Sequence, residues 1–215
     1  MAVTKILTRK GRLDIGINYV LNGDKTEERV LTTHLNCDPG REFRQMLDTK
    51  RAVGKEDGVQ YYHIIQSFKP GEVTPEQAHE IGMELAKEIL GGKYEFVLTT
   101  HIDKDHVHNH LIFNAVSFAD HKHYHSNKRS YHDIRRTSDR LCKEHGLSVI
   151  IPGQDKGKSY IEHQAAQNGT SYKAKLKAAI DRLLPACSDL EELLRRLQRE
   201  GYEIKRGKYI SARAP

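Results

Sequence analysis

Cysteine is scarce in this chain of 215 residues. Cys37, Cys142 and Cys187 are odd in number and widely spaced, which excludes a disulfide framework and a cysteine-based zinc site and predicts reduced thiols. Long apolar runs are missing as well. No stretch approaches the length of a membrane-spanning helix, and Met1-Ala-Val-Thr-Lys5 has no signal-peptide apolar region. A cytoplasmic protein without a membrane segment is therefore expected. Net charge is small over most of the length. Residues 151–215 carry 13 Lys/Arg against 8 Asp/Glu and so hold +5 of the total +6. A basic tail on a near-neutral body predicts a polyanionic partner, with nucleic acid the first candidate.

What the chain has in abundance is histidine, 13 in all. Four stand in His101-Ile-Asp-Lys-Asp-His-Val-His-Asn-His110. The apolar run Tyr94-Glu-Phe-Val-Leu-Thr-Thr100 precedes this stretch and Leu111-Ile-Phe-Asn-Ala-Val116 continues it, which reads as two strands joined by a tight acidic turn. The period of two puts His106, His108, His110, Ile112 and Asn114 on one face, and a turn near Lys104-Asp105 sets His101 opposite His108. His101, His108 and His110 then converge on one ion. Three imidazoles that leave open positions form a catalytic rather than a structural metal site. Their side chains are expected to project toward solvent. His121, His123 and His125 also alternate, but without apolar flanks, and read as a solvated loop.

The remaining pattern is mixed α and β. Segments 29–35, 61–68, 94–101 and 106–117 are strand-like. Helices are expected from Asp38-Pro39 toward Gly54, from the capping box Thr74-Pro-Glu-Gln77 to Gly91-Gly92, and from Ser130-Tyr-His-Asp133 to Gly146. The hairpin makes part of the sheet antiparallel. The expected fold class is α+β, a central, mostly antiparallel sheet in two layers with flanking helices. Residues 153–170 read as a linker. Beyond it lie a lysine-studded helix over 171–184, a second helix striped by Leu190, Leu193, Leu194 and Leu197, and a small hairpin around Arg206-Gly207. The expected division is a main domain over 1–152, a linker, and a basic helical extension over 171–215 that begins a longer C-terminal region.

Phosphoryl transfer at such a site calls for a nucleophile, and tyrosine can form a covalent link to phosphate. Among ten tyrosines, Tyr19 falls late in a short helix just before Asn22-Gly23, with Lys10 and Arg12 ahead and Lys25 behind. Asn18-Tyr-Val-Leu-Asn-Gly-Asp-Lys25, His63-Ile-Ile-Gln-Ser-Phe-Lys-Pro-Gly-Glu72 and the His101–His110 stretch followed by Asn114 occur in an order that resembles the relaxases. These are strand-transferring DNA nickases of conjugative elements, in the mobilisation-protein branch of the HUH endonucleases. Cys142-Lys-Glu-His-Gly-Leu-Ser148 at the end of a helix fits the same family, and the likeness spans about residues 1–150.

The resemblance implies that Tyr19 is the nucleophile and that His101, His108 and His110 hold the metal. It assigns Asp103 and His106 to proton transfer, because a tyrosine hydroxyl titrates near roughly 10 in water and needs help at neutral pH. It assigns DNA contacts to His63, Ser67 and Asn114, and basic Lys128 and Arg129 join them as backbone contacts. The implied reaction is metal-dependent, site- and strand-specific nicking and joining at an origin of transfer, through a 5′-phosphotyrosyl intermediate. The partners are single-stranded or melted origin DNA, an accessory DNA-binding protein and a coupling protein. Mn or Mg is the divalent ion by resemblance, whereas imidazole chemistry favours Zn, Ni or Co. Two alternatives stay open at this point. One is a rolling-circle replication initiator of the same superfamily; the other is a non-catalytic DNA-binding module with a structural metal site.

Overall fold

The structure, a computed structural model, describes residues 2–25, 31–150 and 168–213. The chain divides into two units, Met1–Ile151 and Pro152–Pro215.

The first unit is built on five strands: β1 (Val3–Arg9), β2 (Thr32–Leu35), β3 (Tyr61–Ser67), β4 (Phe96–His101) and β5 (His108–Asn114). They lie in the order β1-β3-β5-β4-β2, and every neighbouring pair is antiparallel. Four helices pack on this sheet: α1 (Leu13–Val20), α2 (Glu42–Arg51), α3 (Pro75–Leu90) and α4 (Lys128–Glu144). Strand alternation decides which helix meets which face. Ile64, Leu98, Leu111 and Phe113 point one way and pack with Ala86 and Leu90 of α3 and Ile134 of α4. Tyr61, Val97 and Ile112 point the other way, against Leu13, Ile17 and Val20 of α1 and Met46 of α2. Both faces are thus covered, giving three layers rather than the expected two. Each large aliphatic or aromatic side chain sealed in these layers contributes on the order of 1.5–3 kcal/mol.

Local chemistry explains the element ends. The Thr74 hydroxyl accepts from the Gln77 amide at 3.2 Å, Pro75 takes the first helical position, and α3 stops at Gly91 with φ 56°. Asn127, not Ser130, caps α4; Ser130 is its third residue and returns a bond to the Asn127 amide. Asp38-Pro39 forms a turn, closed from the Arg41 amide to the Asp38 carbonyl at 3.0 Å, so α2 starts only at Glu42. The expected strand over 29–35 begins at Thr32, and Arg29 and Val30 lie outside the described residues. β1 has no counterpart in the sequence reading. Its pattern of mixed exposed and half-buried residues marks an edge strand, held by β3 far along the chain.

The second unit contains α5 (Tyr172–Leu183), α6 (Leu190–Arg199) and a hairpin of β6 (Glu203–Arg206) with β7 (Ile210–Arg213). Asp189 caps α6, and Leu193 and Leu197 pack with Ala179 of α5. Leu190, expected on the same stripe, is 56% exposed. Most of the 153–170 linker lies outside the described residues. No helix among the described residues is long and apolar enough to cross a membrane.

Candidate metal centre

The β4–β5 pairing sets His101 directly opposite His108 and Thr99 opposite His110. Alternation then sends His101, His108 and His110 to the α1 face of the sheet. Their rings stand close, with centroids 4.3 Å apart for His101 and His110, 4.9 Å for His108 and His110, and 5.3 Å for His101 and His108. One ring nitrogen from each lies within 4.8 Å of the others, and this is the one such cluster among the described residues. The expectation that these side chains face open solvent is corrected, because they are only 1%, 5% and 3% exposed. The α1 layer packs over this part of the sheet and covers them.

Each ring has a partner on its outer nitrogen. His101 Nε2 lies 2.9 Å from the Val20 carbonyl, His108 Nδ1 lies 3.2 Å from the His106 carbonyl, and His110 Nδ1 lies 2.8 Å from His63 Nε2. The opposite nitrogens, Nδ1 of His101 and Nε2 of His108 and His110, are the candidate ligand atoms of the cluster. Metal-bound histidines characteristically donate their second nitrogen in this way, which fixes tautomer and ring direction. Burial pushes His108 down to about 4, with the His106 carbonyl and the carboxylate of Asp103 opposing and the neighbouring His101 and His106 adding to it. His63 is pushed down to about 4 by burial first, then by the charges of Arg9 and His101. His108 thus keeps its lone pair near neutral pH, and three clustered buried imidazoles are a donor set that fits a divalent cation.

Tyr19 lies in the last turn of α1 and is 51% exposed. Its ring centre is 5.8 Å from that of His110 and 6.4 Å from that of His101. It lines a groove of about 560 Å³ between β1 and α1, together with apolar Leu7, Ile15 and Ile65, the cations Arg9, Lys10 and Arg12, and Tyr61, His63 and His110. Arg12 is held by Asp14, with Nε to Oδ1 at 3.1 Å. The competing Tyr61 and Tyr62 are buried. Tyr61 is buried among the α1 and α2 side chains, and the buried Tyr62 donates its hydroxyl to the Tyr124 carbonyl at 3.1 Å.

The other expected site residues fall into three groups. Asp103 Oδ1 stands 4.0 Å from His108 Nε2, and the His106 ring packs against His108 at 5.2 Å, so both border the centre. Ser67 is half-buried and in register with His108 at the rim. His63 is buried against His110, its Nε2 2.8 Å from His110 Nδ1, and also lines the groove beside Tyr19. Asn114 is also corrected. It lies fully inside the core, donating to the Met46 carbonyl at 2.9 Å and to Glu95 Oε2 at 3.2 Å, and cannot face a groove. Lys128 and Arg129 are exposed in the first turn of α4, whose core side packs on the sheet face opposite Tyr19. Two cations at a helix N-terminus oppose the helix dipole, which a polyanion would relieve. His121 and His125 are exposed loop residues, and His123 bridges to Val116. Sequence reasoning missed Arg9, because β1 itself was unrecognised, and missed the His63–His110 pairing, which only the β3–β5 register brings about.

A family model described as "Relaxase: MobA/VirD2-like, nuclease domain" matches residues 19–147. Protein rlx of Staphylococcus aureus is 36% identical over 219 residues, covering 98% of this chain and 66% of that protein. The group II intron-interrupted relaxase LtrB of Lactococcus lactis is 32% identical over 178 residues, covering 76% of this chain and 31% of that protein. The chain thus spans a little under two thirds of the first of these relatives. Among solved structures, the MobM relaxase domain bound to oriT DNA of plasmid pMV158, in a Mn-bound crystal form, aligns with a TM-score of 0.54 at 16% identity. That alignment covers 77% of this chain and 98% of the MobM domain, and shows a shared fold.

Proposed function

Because the chain belongs to the MobA/VirD2-like relaxases of the HUH branch, we propose that residues 1–152 are a catalytic domain that nicks and rejoins one DNA strand at an origin of transfer. Residues 153–170 then serve as a linker and 171–215 as a basic extension. The observation that carries this reading is the placement of an exposed Tyr19 ring against a buried three-histidine cluster.

His101, His108 and His110 would hold the divalent ion, which supplies Lewis-acid withdrawal of charge from a phosphoryl oxygen when bound. Tyr19 Oη attacks the scissile phosphorus and its proton passes to Asp103 or His106, the two groups that border the centre from the turn. The bond from phosphorus to the 3′ oxygen breaks, that oxygen takes a proton and leaves as a 3′-hydroxyl, and the 5′ phosphate stays on Tyr19. One ester replaces another, so a later 3′-hydroxyl can reverse the step and join a strand. His63 holds His110 by its outer nitrogen throughout. Arg9 and Lys10 meet the phosphates of single-stranded or melted DNA beside Tyr19, Ser67 meets it at the rim, and Lys128, Arg129 and the basic extension add sequence-independent contacts. Mn is the first choice of ion, Mg the second, with Zn, Ni and Co suited to the same imidazoles. An accessory DNA-binding protein, a coupling protein and a cytoplasmic setting complete the proposal.

The test is a labelled single-stranded oligonucleotide carrying the cognate site, incubated with Mn²⁺ or with chelator. A covalent protein–DNA band that needs the metal is expected. Retention of the DNA with no covalent band under either condition would leave a binding module with a structural metal site.

A further inference from the structure

Directly behind the histidines, on the α3–α4 face of the sheet, a chain of hydrogen bonds, half-buried at Thr33 and His79 and buried from Thr100 to Ser138, crosses four strands. Thr33 Oγ1 on β2 meets His79 Nε2 at 2.8 Å, and His79 Nδ1 meets Thr100 Oγ1 at 2.8 Å. Thr100 donates to Asn109 Oδ1 at 2.7 Å. Asn109 Nδ2 donates to Gln66 Oε1 at 3.0 Å and to the Ala78 carbonyl at 2.6 Å, and Gln66 Nε2 donates to Ser138 Oγ at 2.8 Å. The directions are mutually consistent. The Thr100 hydroxyl, spent on Asn109, must accept from His79, which in turn accepts from Thr33.

The position of this chain in the sequence is specific. Thr100 immediately precedes His101, and Asn109 lies between His108 and His110. Each is the pleat partner of a metal-facing histidine, one residue along the strand and on the opposite face. The helix above makes room for it. A Cβ at Gly82 of α3 would stand 2.5 Å from Asn109 Nδ2 and 3.2 Å from Leu98 Cδ1, so alanine there displaces the amide from its partners. The rest of this face is apolar, formed by Ile64, Leu98, Leu111, Phe113 and their helix partners. An apolar layer suffices to hold a helix on a sheet; buried polar groups cost free energy unless every one is satisfied. What a satisfied network adds is direction, because hydrogen bonds set angles and packing does not.

We propose that Thr100 and Asn109, with His79, Gln66, Ser138 and the space left by Gly82, form a positioning frame that holds the three metal-facing histidines at coordinating distance. None of these is a catalytic residue. The inference rests on the reading that His101, His108 and His110 bind a divalent ion. Each of these histidines is directed twice, once by the partner on its outer nitrogen and once through the backbone by the frame behind it. Ligands held in this way need little rearrangement to accept an ion, and loss of supporting contacts around ligands lowers metal affinity about 10–100-fold.

The experiment measures Mn²⁺ affinity of the metal-free full chain by loss of the free-ion electron paramagnetic resonance signal, beside the thermal unfolding midpoint. Thr100→Val keeps the shape and removes the hydroxyl that joins His79 to Asn109. Gly82→Ala perturbs the same network from the helix side, although alanine is the better helix former. Both are expected to bind Mn²⁺ about 10-fold or more weakly, with Thr100→Ser close to the parent. Leu90→Ala, in the apolar layer of α3, should lower the midpoint at least as far while leaving Mn²⁺ affinity unchanged. Thr100→Val and Gly82→Ala binding within twofold of the parent, or Leu90→Ala losing affinity in step with its stability, overturns the frame. A parent that takes up no Mn²⁺, or a His108→Ala chain that takes up as much, overturns the metal reading itself, and the frame falls with it.

Discussion

His101 points its Nε2 at the main-chain carbonyl of Val20, 2.9 Å away, in the last turn of the helix that carries Tyr19. The histidine proposed to hold the ion therefore also holds the chain next to the proposed nucleophile. The link matters because α1 has little stability of its own. It is eight residues long and has no side-chain cap at its N-terminus, and isolated helices of that length are unstable in water. Packing of Leu13, Ile17 and Val20 on the sheet holds it, and the Val20–His101 bond fixes its end.

The depth of α1 is therefore a testable quantity. A Cβ at Gly16 would run into the hydroxyl and ring of Tyr61. Gly16→Ala should lift α1, cost on the order of 1–3 kcal/mol as overpacking does, and cut adduct formation about 10-fold or more. Mn²⁺ affinity should fall less, since His108 is anchored at the His106 carbonyl and His110 at His63. Comparing adduct yield with Mn²⁺ binding reads the two effects apart. Unchanged adduct formation would show that Tyr19 does not depend on this seating.

How far the sequence anticipated this site depends on the distance over which the information acts. The opposition of His101 and His108 was predictable, because a short hairpin with strict alternation admits few registers. Thr74, Pro75 and Gly91 likewise declared the ends of α3 by local chemistry alone. What escaped was non-local. The edge strand β1 is polar on much of its length and is identified only by its pairing with β3, about sixty residues away. Nothing near His63 says that it will meet His110, and nothing near Asn114 says that Glu95 and the Met46 carbonyl will enclose it. The same holds for solvent exposure of the histidines, since a helix remote in sequence covers them.

Acid should weaken the metal-free fold. Burial pushes His63 and His108 down to about 4 and lowers His79 as well. The unfolded chain, with histidines near the ordinary value of roughly 6.5, takes up protons first as the pH falls. Stability is therefore complete above that value and lost progressively toward 4, by up to about 1.4 kcal/mol per pH unit for each group. Urea unfolding of the metal-free protein should show a midpoint that drops between pH 7 and pH 5. A flat profile would mean that these rings are hydrated rather than sealed under α1.

Removing the second unit separates affinity from chemistry. A chain ending near Gly153 lacks the basic extension, so it should bind DNA more weakly and with a shallower dependence on salt, because fewer phosphates are neutralised. Adduct formation at saturating DNA should persist, since Tyr19, His101, His108 and His110 all lie in the unit Met1–Ile151. Binding measured across a salt series checks this. An unchanged slope would assign residues 171–208 to packing within their own unit.

Tyr19→Phe addresses the chemistry most directly. Phenylalanine keeps the ring that stands 5.8 Å from His110, along with any stacking on a base, and removes only the hydroxyl. Binding of DNA and Mn²⁺ should stay within about fivefold of the parent while the covalent band disappears; one hydroxyl contact contributes only about 1 kcal/mol to binding, whereas no adduct can form without an attacking oxygen. Tyr61→Phe and Tyr62→Phe serve as controls. Both parent residues are buried, and the Tyr62 hydroxyl is occupied by the Tyr124 carbonyl, so these variants should still cleave, with Tyr62→Phe losing some stability for the broken bond. Digestion of the parent adduct should place the nucleotide on the peptide around residues 12–25. A nucleotide mapped to Tyr61, Tyr62 or Tyr124 would move the nucleophile away from α1.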